Sequence, residues 1–267
     1  MAIPSHQLRS GDAEIVYWLL GDGPSVVLLH PFPANHEFWL PVAEELASRY
    51  RLILPDLRGH GESEVGEGPA TMAKHADDLA RIMDAAQVGR APLIGVSIGG
   101  YILFEFWRRH ATRVAALGLC NTKAPADNAD ARAARLQAAN DVLARGTEPF
   151  LQSMVPRLLG KTTRETRPDL VEGALRMMRR MSPEDIAKVQ RGMAERPDSG
   201  NTLKTMNVPT MLVTGDEDVL TGINEANFMR EHIAGSQLRV IPKAGHYAPY
   251  EQSGEAAGII RKFLDSL

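Results

Sequence analysis

Short, nearly continuous apolar runs alternate with helix-period segments through the first half of the chain. This alternation limits the folds open to it more than any other feature. The runs are EIVYWLL (14–20), SVVLLH (25–30), RLILPD (51–56), APLIG (91–95) and VAALGLC (114–120). Segments around 38–48, 71–87 and 99–109 between them carry apolar residues at helical spacing. A strand that is apolar on both faces has to be covered on both faces. The pattern therefore predicts an α/β fold, a mainly parallel, doubly wound sheet flanked by helices. With 267 residues, 44% of them hydrophobic, the chain can bury such a core.

The pattern changes at about Lys123. From 124 to 205 the sequence is rich in Ala, Arg, Leu, Met and Glu and offers no strand. DARAARLQAANDVLARG reads as an amphipathic helix closed by Gly146, DLVEGALRMMRRM as a second and SPEDIAKVQRGMAER as a third. In the third, Ser182 is placed to cap the helix, with Pro183 at its first position and a carboxylate three residues on. Strand and helix signals resume with PTMLVTG (209–215), a helix near 224–232, SQLRVIP (236–242) and a last helix over 255–267. The expected organisation is a core of residues 1–123 and 206–267 interrupted by a helical block, 124–205.

A net charge of −3 gives no electrostatic footprint for nucleic acid, so a small molecule is the expected partner. The single cysteine, Cys120, cannot form an intrachain disulfide. The first residues lack a basic stretch followed by an apolar one, and no run is long enough to span a bilayer. These features read as a cytoplasmic protein. No His/Cys/Asp cluster has metal-ligand spacing and no G-x-G-x-x-G opens a dinucleotide fold, so neither metal nor cofactor is expected.

The segment GVSIG (95–99) follows a buried strand and precedes a helix, the setting of a nucleophile elbow. So sharp a turn strains the serine backbone and brings its neighbours together, which small residues at Gly95 and Gly99 permit. It lifts the Ser97 hydroxyl off the carboxyl edge of the sheet, towards the amides that start the next helix. A hydroxyl needs a base to attack at neutral pH. Among eight histidines, His246 stands in KAGHYAP after the strand 236–242, at the sheet end that α/β folds use for ligands. The base needs a carboxylate, and TGDEDVLT supplies Asp216, Glu217 and Asp218 just past the strand 209–215. Spacing does not choose among the three.

Elbow, acid and histidine, in that order, resemble the α/β-hydrolase superfamily over essentially the whole chain. The resemblance implies an acid in a G-x-x-D pattern, here Gly215 to Asp218, with Asp216 as runner-up. It implies the base His246 in a G-H-x-x-x-x-E pattern ending at Glu251, which is expected to be a helix-start acid. It places oxyanion-hole amides at Ile98, after the serine, and in the loop HPFPANHEFW. There Pro31 replaces the usual glycine and has no N–H, so the second donor is assigned to Phe32. His30 is expected to order this loop by hydrogen bonding, and Arg58 and His60 of DLRGHGES to be buried structural partners.

In this architecture the block 124–205 would form a cap, or lid, over Ser97. Phe32, Trp39 and cap residues such as Leu136, Met154, Leu158, Met177 and Met181 are candidates to shape the pocket. Ser97 stands where similar dehalogenases and epoxide hydrolases have aspartate, which disfavours those activities. The cap's end and the HPFP loop are similar to the 3-oxoadipate enol-lactonase, acyl-homoserine lactonase and small carboxylesterase group. The implied function is a metal-free serine hydrolase of small carboxylic esters or lactones. Alternatives on the same three residues are C–C bond hydrolysis and cofactor-free perhydrolysis. A non-catalytic ligand cup on this fold is a further one.

Overall fold

The computed structural model describes residues 3–267; the first two residues of the expected core segment lie outside it. Among the described residues eight strands form one sheet: β1 (Ser5–Ser10), β2 (Ala13–Leu20), β3 (Ser25–Leu29), β4 (Arg51–Pro55), β5 (Ala91–Val96), β6 (Val114–Cys120), β7 (Thr210–Gly215) and β8 (Gln237–Ile241). Their order is β1-β2-β4-β3-β5-β6-β7-β8. β2 runs antiparallel to β1 and to β4, and every other pair is parallel. β3 and β5 sit near the centre, and Val27, Leu28, Leu93 and Ile94 are completely buried. Their uninterrupted apolar runs answer to cover on both faces.

β1 had no counterpart in the sequence reading. Ser5, His6, Gln7 and Arg9 are exposed, so this edge strand has almost no apolar signature and is held by its ladder to β2. The segment expected to be helical over 38–48 splits in two. A 3-10 turn over His36–Trp39 is capped by Asn35, whose side chain accepts from the Glu37 amide at 2.9 Å, and α1 (Leu40–Leu46) follows. α2 (Met72–Ala85) and α3 (Ile98–His110) complete the first half.

Between β6 and β7 the regular structure is all helix: α4 (Ala129–Arg145), α5 (Glu148–Leu158), α6 (Lys161–Thr166), α7 (Pro168–Met178), α8 (Pro183–Ala194) and the one-turn α9 (Gly200–Leu203). α4, α7 and α8 are the three helices read from periodicity. α5, α6 and α9 are short, and α5 has a proline in its last turn, Pro156, which blurs the pattern. At α8 the Ser182 hydroxyl accepts from the Asp185 amide and the Asp185 carboxylate accepts from the Ser182 amide, the reciprocal cap expected there. The chain ends with α10 (Ile223–His232), α11 (Ala248–Glu251) and α12 (Ser253–Leu264). α1 packs against α12, and α2 against α3. No described helix is long and apolar enough to cross a membrane.

Candidate active site

The turn from β5 to α3 gathers the first candidate. Ser97 has φ 55° and ψ −111°, a conformation that side chains rarely adopt, with a typical strain of about 1–3 kcal/mol. Backbone bonds hold it there: its amide donates to the Cys120 carbonyl at 3.0 Å, and its carbonyl accepts from Gly100 N and the Thr122 hydroxyl. The two glycines of the motif are close approaches. A Cβ on Gly95 would lie 2.5 Å from the Gly99 backbone, and one on Gly99 2.8 Å from the Leu29 carbonyl.

Asp218 and His246 meet past the ends of β7 and β8. His246 Nδ1 lies 3.0 Å from Asp218 Oδ2 and 3.2 Å from Oδ1, and the carboxyl group is fully buried. The carboxylate also accepts from the Leu220 and Thr221 amides at 2.8 and 3.1 Å and from Asn121 Nδ2 at 2.9 Å. Burial alone would raise the pKa of this acid. The nearby imidazole and the converging donors outweigh it and hold the carboxyl well below its usual range. An ionised Asp218 can only accept, so Nδ1 carries the proton between them, and in the neutral ring Nε2 is the acceptor.

The other two acids are used elsewhere. Asp216 is exposed and accepts from the Ala244 amide, and Glu217 binds the amide and hydroxyl of Thr162. Two partners of the pair escaped the sequence reading. Thr221 donates its hydroxyl to Asp218 Oδ2 at 3.0 Å, and Asn121 reaches across from the end of β6. Asn121 has φ 43°, a left-handed conformation that asparagine tolerates, and this is the only local signal it carries.

Ser97 and His246 share the wall of one cavity of about 250 Å³. Phe32, Met154 and Leu158 line it as expected, together with Tyr101 and Phe150, which were not anticipated. Four other pocket candidates are not in its lining. Trp39 is wholly buried in the core, Met177 and Met181 bury helix faces, and Leu136 points to solvent.

Phe32, in the loop after β3, donates its amide to no acceptor among the described residues. Ile98 opens α3, so its amide has no acceptor within the helix. The Leu57 amide donates to His30 Nε2 at 2.9 Å, so Nδ1 must carry the proton that it gives to the Pro31 carbonyl at 3.0 Å. Full burial pushes the His30 pKa down to about 3, fixing it as a neutral brace of the loop. Arg58 is buried in a two-pronged pair with Asp78, and His60 is buried beside it. Glu251 lies in the first turn of the four-residue α11, the helix-start position expected of it. Its buried carboxylate accepts from the amides of Gly160 and Gly245 at 2.8 and 2.9 Å.

A nucleophile-elbow serine and a carboxylate-bound histidine at the carboxyl edge of a mostly parallel sheet define a class of protein. The chain belongs to the alpha/beta hydrolase fold family, whose family model matches residues 24–253. It is 27% identical to 3-oxoadipate enol-lactonase 1 of Acinetobacter baylyi, over 92% of this chain and 90% of that one. Its backbone matches a malate-bound thermophilic esterase from Thermogutta terrifontis with a TM-score of 0.95 and 36% identity, covering 98% of both chains. The fold is also that of the enol-lactonase from Burkholderia xenovorans, with a TM-score of 0.91 at 23% identity over 97% of this chain and 100% of that one.

Proposed function

We propose that this protein hydrolyses carboxylic esters or lactones of small molecules through an acyl-enzyme on Ser97. The chain is a carboxylic-ester hydrolase, in line with its esterase and enol-lactonase relatives. The observation that carries the mechanism is the His246–Asp218 contact of 3.0 Å, with His246 and the strained Ser97 in one cavity wall.

In the proposed cycle, Ser97 Oγ attacks the substrate carbonyl while His246 Nε2 takes its proton. Asp218 stabilises the imidazolium. The amides of Phe32 and Ile98 receive the developing oxyanion, a donor set in which each bond typically contributes about 10²–10³ in rate. Collapse expels the alkoxide, which His246 protonates. A water that gives its proton to His246 then attacks the acyl carbon, freeing the acid and restoring Ser97. In a lactone the alcohol stays attached, so the ring opens without loss of a fragment. The cycle runs on these residues and water. The helices of 124–205 act in it as the lid, supplying Met154 and Leu158 to the cavity.

The test combines covalent labelling with proton release. A fluorophosphonate should label wild-type protein at Ser97 and leave Ser97→Ala unlabelled. In a pH-stat, esters or lactones should release acid with wild type, and Ser97→Ala should lose on the order of 10⁶ in kcat. Full activity in Ser97→Ala would overturn the mechanism. Silence across linear esters, acyl-homoserine lactones and simple lactones would move the assignment to C–C cleavage or ligand binding.

A further inference from the structure

The cavity is positively charged, although the chain as a whole is negative. Apart from His246, the charged residues of its lining are Lys123, Arg135 and Arg157 against Asp127 alone. Asp127 is already saturated. Its buried carboxylate accepts from Arg135 Nε at 2.5 Å and from Arg196 Nη2 at 3.0 Å, and Lys123 Nζ lies 3.2 Å away. Burial opposes its ionisation, but Arg135, Arg196 and Lys123 outweigh burial and hold the carboxyl well below the usual range. One negative charge is therefore shared among three cations. Arg135 spends a further donor on the neutral Gln190, and Arg196 lies over the Tyr101 ring at 4.2 Å, its buried Nε without an acceptor among the described residues. Arg157 has no ion-pair partner among the described residues, and the Lys123 side chain keeps 25% exposure at the cavity wall.

With three cations on one carboxylate, this network carries a net positive charge. Lys123 has three N–H donors and a single carboxylate contact. An excess of cations in a cleft with low-dielectric walls concentrates anions there. Ser97 and His246 stand in the same cavity, alongside the apolar faces of Phe32, Phe150, Met154 and Leu158.

We propose that Lys123, Arg135 and Arg157 form a carboxylate-binding subsite, so that the preferred substrate is an ester or lactone carrying a second, free carboxylate. Asp127 is the internal counter-ion that keeps Arg135 and Lys123 aimed at the cavity in the absence of substrate. This rests on Ser97 being the nucleophile. Hydrolysis of such an ester adds water across the C–O bond and releases a dicarboxylic acid and the alcohol.

The experiment compares monoethyl esters of succinic, glutaric and adipic acid with neutral ethyl esters in which an isopropyl end replaces the carboxylate. Wild type should favour the best anionic ester over its isostere by at least tenfold in kcat/KM. In Lys123→Met and in Arg157→Met that ratio should fall towards one, and in the remote, exposed Arg239→Met it should stay. Equal or better use of the neutral isostere by wild type, with Ser97 still labelled by fluorophosphonate, would sink the subsite and spare the hydrolase. Calorimetry on Ser97→Ala separates the two readings when turnover fails. Binding of monoethyl glutarate at least tenfold tighter than its isostere keeps the subsite even if Ser97 proves inert; equal binding removes it.

Discussion

The side-chain amide of Asn121 donates to Asp218 Oδ2 at 2.9 Å and to the Gly245 carbonyl at 3.2 Å. One group at the end of β6 thus ties the acid to the loop that carries His246. A hydrogen bond to a buried charge is worth about 1.5–3 kcal/mol, so Asn121→Ala should lower kcat by roughly 10- to 100-fold. KM should change little, because the amide does not line the cavity. Steady-state kinetics on one ester measure the split, and an unchanged kcat would remove Asn121 from the positioning of the pair.

Among the three acids past β7, Asp218 alone touches His246. Asp218→Asn keeps the shape but replaces an acceptor with an amide, which favours the wrong imidazole tautomer. If Asp218 serves His246 as proposed, a loss of about 10⁴ in kcat is expected, the size seen for the corresponding change in known serine triads. Asp216→Asn, at an exposed acceptor of the Ala244 amide, should stay within a fewfold of wild type. A reversed ranking would reassign the acid.

Glu251 joins the α5–α6 junction to the histidine loop by accepting from Gly160 and Gly245 at once. Glu251→Gln retains one acceptor oxygen and turns an NH2 group towards a buried N–H. Leaving that donor unsatisfied costs about 1–3 kcal/mol. For a chain of this size, the melting temperature should drop by roughly 2–10 °C. Differential scanning calorimetry checks it, and a variant as stable as wild type would show that the bridge is dispensable.

Buried histidines set the acid limit of stability. Burial pushes the pKa of His30 down to about 3 and that of His60 to about 4, and that of His75 well below its ordinary 6.5. The folded state keeps these rings neutral while the unfolded chain protonates below about 6.5, so the unfolded state binds more protons in that window. Stability should therefore fall as pH drops from about 6.5 towards 4, by up to about 1.4 kcal/mol per pH unit for each ring. Urea unfolding between pH 7.5 and 4.5 measures the slope. Neither ring nitrogen of His75 has a partner among the described residues, and Ile15, Leu29, Leu79 and Ile82 share its small cavity. His75→Leu should flatten the slope; an unchanged slope would show that His75 takes no part in it.

Short-range chemistry made much of this protein readable from its residues. Apolar runs that must be covered on both faces marked β3 to β7, and a serine flanked by small residues between strand and helix marked the elbow. Ser182 and Asp185 marked the start of α8. Each of these is a constraint among residues a few positions apart, and it leaves its imprint locally. The exposed β1 and the proline-interrupted α5 leave no such imprint, and Asp218 is told from Asp216 in sequence only by the G-x-x-D resemblance. Asn121 and Asp218 are 97 residues apart and Asn121 and Gly245 are 124 apart, joined because parallel strands deliver their following loops to one edge. The cationic wall is of the same kind: Lys123 follows β6, Arg135 lies on α4 and Arg157 on α5, ordinary surface residues by sequence. Sequence alone determined the strands β2 to β8, the elbow and the candidate histidine. Tertiary structure decided which charged residues line the cavity that Ser97 shares, because that depends on how the helices of 124–205 pack over the sheet edge.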